Sequence, residues 1–238
     1  MQDIADKPHP STIRPRDAAT LILVRRDRAV PRVLMGRRHE AHKFMPGKFV
    51  FPGGRVDAGD RRIAAQHPLP ADVTEKLTCA MKGKPSSARA TGIALAAVRE
   101  TFEEVGLIVG QPGRAPRTRN AAWQQFYATG YVPDLRDLRM LARAITPPGR
   151  PRRFDTRFFM ADAASLANID APVVPETDEL LTPHWDSIDE ALQLDLPWIT
   201  GQILNRLDSV LQQPDPFGEQ RPVVYQYKRG NEWKYQTL

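Results

Sequence analysis

The octapeptide RETFEEVG, Arg99–Gly106, places three carboxylates within five residues. Because an α-helix advances by about 100° per residue, Glu100, Glu103 and Glu104 lie at i, i+3 and i+4 on one helix face. Like charges at these spacings repel, and near a helix C-terminus the macrodipole also disfavours anions. A bound divalent cation would relieve both effects, and ligands made only of oxygen suit Mg²⁺ and Mn²⁺. A solvated acidic face is the alternative interpretation.

A glycine pair lies upstream of this cluster, in the segment FPGGRVDAGD (51–60). A Gly-Gly pair directly after a short strand lets the backbone approach a ligand or a neighbouring helix closely, because neither residue has a Cβ. Two acidic residues follow the pair, Asp57 and Asp60. Considered together, the two stretches favour a site for metal and phosphate over a solvated acidic face.

The two stretches together resemble the Nudix signature: Gly, five residues, Glu, seven residues, then Arg-Glu-apolar-x-Glu-Glu-x-Gly-apolar. Gly54 fits the first half, but Asp60 stands where the family usually has Glu, with Asp57 or a residue of the insertion as alternatives. Residues 61–98, 38 in all, follow Asp60 where the signature has seven. A surface insertion costs little closure entropy, so the halves can still meet. The second half is filled without a mismatch by Arg99, Glu100, Phe102, Glu103, Glu104, Gly106 and Leu107.

An interrupted signature with FMPGKFVFPGG before it and RFDTRFF behind it resembles the Nudix subgroup of coenzyme A diphosphatases. The resemblance covers roughly residues 18–195. That subgroup has a further motif upstream of FPGG, and here Leu34, Arg38 and Gly47 keep its register. At four other positions of the motif this chain has a different residue, namely Met35, Gly36, His39 and Lys43. The half-kept motif makes coenzyme A or acyl-CoA one possible substrate among nucleoside diphosphate derivatives.

The resemblance implies metal-dependent hydrolysis of a diphosphate linkage, in which the cation bridges phosphate oxygens and lowers the pKa of the attacking water. Glu103 is then a catalytic ligand, and Arg99 orients a glutamate through a charge-assisted hydrogen bond. The implied ligands of Mg²⁺ or Mn²⁺ are Glu100, Glu103 and Glu104, with Gly54 letting its loop approach the metal. The structural residues of the box are Gly54, Asp60 and Gly106.

The general base of the family is often a later acidic residue on a loop that faces the box helix. The candidate here is Glu179 in the segment VPETDELL (174–181). Glu176 and Asp178 are further candidates. An exposed acidic turn is the other interpretation of this run.

Basic side chains near the loops are expected to bind the outer phosphates of the substrate. The candidates are Arg38, Lys43 and Arg157. For Arg157 an ion pair with Asp155, or with the helix carboxylates, is an equally weighted alternative.

Composition limits the class of protein. The 238 residues carry a net charge of +6 with a pI near 9.7, which favours an anionic ligand unless the charge only aids solubility. Cys79 is the only cysteine, so no intramolecular disulfide can form, and a reducing compartment is indicated. The sequence contains neither a signal-peptide pattern nor an apolar run of membrane-spanning length. We expect a cytoplasmic protein with no membrane partner.

The order of elements predicts a mixed sheet with helices packed on it, an α/β fold, and the resemblance implies an α/β/α sandwich. Two short apolar runs rich in strand-forming residues, Ala18–Arg25 and Arg32–Arg37, predict a first hairpin. The expected divisions are a polar leader (1–17), a Nudix domain (18–212) with an insertion (57–91), and a C-terminal hairpin extension (213–238).

The helical periodicity is clearest from Thr91, the expected N-cap, to Gly106, the expected stop. Leu107–Val109 is then expected to form a strand. Candidate helices follow at Ala121–Thr129, Leu135–Ala144 and Pro197–Gln212.

A catalytically silent Nudix-fold module that senses a nucleotide or binds RNA is the competing function. The basic charge and the aromatic and cationic tail (223–237) favour it, since base stacking on aromatic side chains is typical of single-stranded nucleic-acid binding. The intact carboxylate cluster favours the enzyme, because a binder has no need of a destabilising cluster. We therefore expect a small-molecule substrate rather than a nucleic acid, and a homodimer is possible.

Overall fold

The computed structural model describes residues 13–41, 45–171, 180–219 and 221–238. The strands are β1 (Arg16–Arg25), β2 (Arg32–Arg38), β3 (Phe49–Val50), β4 (Gly53–Arg55), β5 (Gly110–Pro112), β6 (Tyr131–Pro133), β7 (Arg139–Ile145), β8 (Phe154–Asp162), β9 (Leu180–Ser187), β10 (Val224–Arg229) and β11 (Glu232–Thr237). The helices are α1 (Ala71–Thr78), α2 (Ser87–Val105), α3 (Ala121–Ala128), α4 (Ile188–Leu192) and α5 (Trp198–Leu211).

A mixed sheet of nine strands forms the centre of the described part of the chain. Its order is β11-β10-β7-β8-β1-β2-β3, with β4 pairing with β1 and β9 pairing with β2. The β1–β8 and β7–β10 pairs are parallel and the others antiparallel. The separate pair β5–β6 is antiparallel. The predicted β1–β2 hairpin is confirmed, with Val24 opposite Val33.

Strand β1 shows why the fold is a three-layer sandwich. Alternate side chains point to opposite faces of a sheet, so an apolar run without alternation indicates a strand covered on both faces. Leu21 and Leu23 belong to a core shared with α1, α2 and α3. Ile22 and Val24 belong to a second core shared with α4 and α5. The expected α/β/α arrangement is therefore confirmed.

The box helix α2 begins earlier than its periodicity predicts. Ser86, not Thr91, is the N-cap, and its hydroxyl oxygen accepts the N–H of Arg89. Ala88, Arg89 and Ala90 are good helix formers, so the helix continues back to a capping serine. The final residues of the segment expected as an insertion thus belong to α2. Gly106 ends the helix as predicted, in the left-handed conformation that a glycine adopts without strain.

Two predicted elements are wrong. Leu135–Ala144 was expected to be helical, but the chain there forms β7, which pairs with β8 on one side and β10 on the other. Its apolar residues fit a buried strand as well as a helix, and pairing on both sides decides between them. Leu107–Val109 lies outside regular structure, and the short strand β5 begins only at Gly110.

The C-terminal helix and hairpin extend the sandwich. Helix α5 packs on the second core, and β10 joins the main sheet beside β7 with β11 at its edge. No helix within the described ranges is both long and apolar enough to cross a membrane. The division into leader, domain and extension stays a prediction, although β1 already starts at Arg16.

Candidate active site

Helix α2 holds the carboxylate cluster against the sheet. Its side chains from Gly92 to Val98 are buried without interruption, because the helix packs on β1 and β4 and between α1 and α3. The three glutamates are therefore less exposed than the polar side chains of an amphipathic helix on a protein surface. Glu104 is only 3% exposed, and the side chains of Glu100 and Glu103 are 12% and 28% exposed.

The two halves of the divided signature meet at a buried ion pair. Nε of Arg99 lies 2.9 Å from Oδ1 of Asp60, and its Nη2 lies 3.2 Å from Oδ2. Asp60 has no exposed surface, and Arg99 has 4%. The contact joins residues on either side of the 38-residue intervening segment 61–98. Asp60, rather than Asp57, thus faces the arginine in the position where the family usually has glutamate.

Two further hydrogen-bond donors hold the side chain of Asp60, which is shorter than the usual glutamate, in this position. The indole Nε1 of Trp123 donates to its Oδ1 at 2.9 Å, and the backbone N–H of Asp57 donates to its Oδ2 at 2.8 Å. Trp123 is fully buried on α3, outside the signature. The sequence carries no signal for this contact, since a tryptophan on a helix is usually an ordinary core residue. Asp57 is instead half-exposed and pairs with Arg55.

Arg99 also binds the carboxylates of its own helix. Its Nη1 lies 2.6 Å from Oε2 of Glu103 and 2.9 Å from Oε1 of Glu100, and its Nη2 donates to the carbonyl of Arg55 at 3.0 Å. Burial by itself lowers the pKa of Arg99, but the hydrogen bond to Asp60 and the charges of Glu100 and Glu103 outweigh it and raise the pKa. The chain therefore relieves part of the repulsion between its clustered carboxylates with its own cation.

The loop after β3 contacts the remaining glutamate. The backbone N–H of Gly53 donates to Oε2 of Glu104 at 2.9 Å. A Cβ added to Gly54 would lie 2.5 Å from both carboxylate oxygens of Glu100, closer than real Cβ atoms come to a neighbour. Gly54 is thus required by the close approach of β4 to α2, whereas a Cβ on Gly53 would meet Ala19 and Thr20 of β1.

Replacing Gly54 by alanine is expected to lower turnover by about 10²-fold, because the new methyl group displaces the Glu100 carboxylate from its position. The displaced group is the end of a flexible side chain, so we expect little change in thermal stability. Steady-state kinetics with a diphosphate substrate, together with thermal unfolding, measures both effects. Gly201→Ala on α5 is the matched control, since nothing lies within 4 Å of its added Cβ. Equal activity of the two variants would contradict this role of Gly54.

The carboxylate face fits a divalent cation by its chemistry. Three glutamates carry oxygen atoms of the kind that Mg²⁺ and Mn²⁺ prefer, and the missing Cβ of Gly54 lets the Glu100 carboxylate lie against the loop. No three His, Cys, Asp or Glu side chains are grouped closely enough to hold a metal, as far as the chain is described. Nη1 of Arg99 instead lies within reach of both Glu100 and Glu103. A cation would compete with Arg99 for these two carboxylates.

The placement of Arg157 does not fit its expected substrate-binding role. The side chain has no exposed surface, and its Nη1 lies 2.8 Å from Oδ1 of Asp17 and 3.5 Å from Oδ1 of Asp155. Burial lowers the pKa of Arg157 despite the opposing charge of Asp155. An anionic substrate cannot reach this guanidinium in the folded chain. The alternative interpretation, an ion pair with Asp155, describes one of its two contacts.

Of the other predicted site residues, the structure describes Arg38 alone. Arg38 is half-buried at the end of β2, and its backbone N–H donates to the carbonyl of Lys48. Lys43 and the proposed base Glu179, with Glu176 and Asp178, lie outside the described residues.

Comparison with known proteins gives relatives of one superfamily. The chain is 26% identical over 211 residues to acyl-coenzyme A diphosphatase NUDT19 of Gallus gallus, a match that covers 68% of this chain and 55% of that protein. It is 28% identical over 192 residues to putative nudix hydrolase 7 of Caenorhabditis elegans, covering 74% of this chain and 54% of that one. The chain thus spans about half the length of the curated relatives it matches.

The solved structures agree with these relatives. A NUDIX hydrolase from Alicyclobacillus acidocaldarius has a TM-score of 0.59 and 26% identity, over 82% of this chain and 91% of that one. No family model matches the sequence. In its sandwich, its relatives and its divided signature, whose halves meet at Asp60 and Arg99, the chain is similar to members of the Nudix hydrolase superfamily.

Proposed function

We propose that the protein hydrolyses the diphosphate linkage of a nucleoside diphosphate derivative with the help of Mg²⁺ or Mn²⁺. The observation that carries this proposal is the contact of Asp60 with Arg99, which joins the glycine loop to the three glutamates of α2 across the segment 61–98. The hydrogen bond from Gly53 to Glu104 supports the same proposal, because it also brings the glycine pair next to the acidic face.

The bound cation would polarise phosphate oxygens and lower the pKa of the attacking water. Glu103 and Glu104 supply carboxylate oxygens for it, and Glu100 is a further ligand. Gly53 holds Glu104 through its backbone N–H, and Gly54 allows Glu100 to approach the loop. Arg99 acts as a positioning residue, because its guanidinium contacts carboxylates and a carbonyl within the protein.

Other side chains are proposed to act on the substrate itself. Arg38 and Lys43 would bind its outer phosphates, since guanidinium and ammonium groups are the usual phosphate ligands. Glu179 is the proposed general base. These assignments rest on the sequence and on the resemblance to the superfamily.

Coenzyme A or an acyl-CoA is the proposed substrate class. Two observations support it: the half-kept motif around Arg38 and the similarity to a protein named acyl-coenzyme A diphosphatase.

A homodimer is also proposed, and the edge strand β11 offers a contact surface, with Trp233 and Tyr235 exposed next to Trp198 of α5. The cytoplasmic location stays a prediction.

A substrate panel tests the proposed function. The purified protein is incubated with Mg²⁺ or Mn²⁺ and a pool of nucleotide diphosphate derivatives that includes coenzyme A, and the products are identified by mass spectrometry. We expect a nucleoside monophosphate or a phosphoadenosine among the products. Salt-sensitive RNA binding with no hydrolysis of any compound would favour the silent module instead.

A further inference from the structure

A basic cavity lies next to the box and is not explained by the hydrolysis of the diphosphate. It has a volume of about 490 Å³ and is lined by Val56, Asp57, Ala58, Arg61 and Arg62. Its two arginines follow Asp60 directly in the chain, at the start of the intervening segment. The two arginines therefore belong to the segment that this chain has in place of the usual short spacing, whereas Val56, Asp57 and Ala58 belong to the loop between Gly54 and Asp60.

The wall of the cavity is fixed to the candidate active site. The N–H of Asp57 donates to Asp60, and the carbonyl of Arg55 accepts from Arg99. Gly54, which touches Glu100, is two residues from Val56, so their Cα atoms lie no more than about 7.6 Å apart. A substrate whose diphosphate lies at the glutamates can therefore reach the cavity with a neighbouring group.

The charge of the cavity suits an anion. Asp57, the carboxylate in its wall, already pairs with Arg55 at 3.3 Å. Arg61 is half-exposed, and its Nη2 makes only a long ion pair, 3.8 Å, with Asp17, whose carboxylate Arg89 and Arg157 already hold at 2.8 Å. Arg62 is exposed, and no ion pair to it is present among the described residues. Two guanidinium groups thus remain available to a ligand in the cavity.

Arg61 is held in position by helix α2. A Cβ added to Gly92 would lie 2.7 Å from Cγ of Arg61 and 3.3 Å from its Cα, so the stem of the arginine rests directly on the helix backbone. A guanidinium with a fixed stem loses less side-chain entropy when it binds an anion, and its planar fork matches phosphate oxygens.

We propose that Arg61 and Arg62 form a subsite for a phosphomonoester of the substrate, distinct from the diphosphate that is cleaved. The inference rests on the proposed function and deepens it. It assigns the residues after Asp60 a role in specificity: the preferred substrate is a nucleoside diphosphate derivative with one additional phosphate on its ribose.

The test compares matched substrates that differ only in this phosphate, namely coenzyme A against dephospho-coenzyme A and NADPH against NADH. We expect the protein to prefer the phosphorylated member of a pair through a lower KM. In the double variant Arg61→Gln, Arg62→Gln, kcat/KM for that member is expected to fall about ten- to a hundred-fold, with little change for the other member. Arg150→Gln, Arg152→Gln is the control, since both residues are exposed and the change in charge is equal.

Each outcome has a separate meaning. An equal loss for both members of a pair, or no loss for either, would overturn the subsite. Hydrolysis of neither member by the unaltered protein would contradict the proposed function, and calorimetric binding of adenosine 3′,5′-bisphosphate against AMP then tests the subsite by itself. Tighter binding of the bisphosphate that disappears in the double variant supports it, and equal binding of the two nucleotides overturns it.

Discussion

Replacing Glu103 by glutamine is expected to lower turnover of a diphosphate substrate by at least about 10²-fold while the protein stays folded. A cation that stabilises developing charge contributes several kcal/mol to the transition state, and each 1.36 kcal/mol corresponds to about tenfold in rate. Glutamine keeps the shape of the side chain but supplies a neutral oxygen. Glu103 is also the most exposed of the three glutamates, so its loss disturbs packing least.

The measurement is kcat and kcat/KM at saturating Mg²⁺, with thermal unfolding of both proteins in parallel. Glu232→Gln on β11 is the matched control, since it makes the same chemical change and also removes an ion pair, with Lys234, away from the box. If Glu103→Gln retained the turnover of the unaltered protein, Glu103 would not be a ligand, and the assignment of the α2 face would fail.

Asp60→Asn is expected to lower the free energy of unfolding by about 3 kcal/mol, the range found when one partner of a buried ion pair is removed. Arg99 would lose the carboxylate that accepts from both Nε and Nη2, at a place with almost no solvent. The N–H groups of Trp123 and Asp57 would also lose a charged acceptor. Urea denaturation followed by tryptophan fluorescence or circular dichroism measures the difference.

Asp57→Asn provides the comparison for this prediction. Asp57 is half-exposed and pairs with Arg55 at the surface, so its replacement should cost less than about 1 kcal/mol. The two variants separate the candidates that the sequence left open for the usual glutamate position. A larger cost for Asp57→Asn than for Asp60→Asn would show that the structural role belongs to Asp57.

Local spacing made one half of the candidate site predictable. The cluster Glu100–Glu104 and the stop at Gly106 depend only on helix geometry and on glycine's access to the left-handed region. The contact of Asp60 with Arg99 depends on how the intervening segment folds, which no local sequence pattern predicts. The hydrogen bond of Trp123 to Asp60 could not be predicted either, because the two residues lie 63 positions apart in the chain.

Burial explains the sequence predictions that failed. Arg157 has the charge expected of a phosphate ligand, but β8 runs parallel to β1, so Arg157 lies beside Ala19 and contacts Asp17, 140 positions away. Apolar and polar residues do not alternate strictly along β7, because this strand is paired on both sides and covered by helices. Its hydrophobic pattern therefore did not distinguish a strand from a helix.

The initial rate of diphosphate cleavage as a function of free Mg²⁺ or Mn²⁺ tests the central claim most directly. We predict no turnover after chelation with EDTA, a saturable return of activity as the cation is restored, and no such return in Glu103→Gln over the same concentrations. Turnover that is equal with and without the cation, or a Glu103→Gln variant with the same metal dependence as the unaltered protein, would contradict the claim.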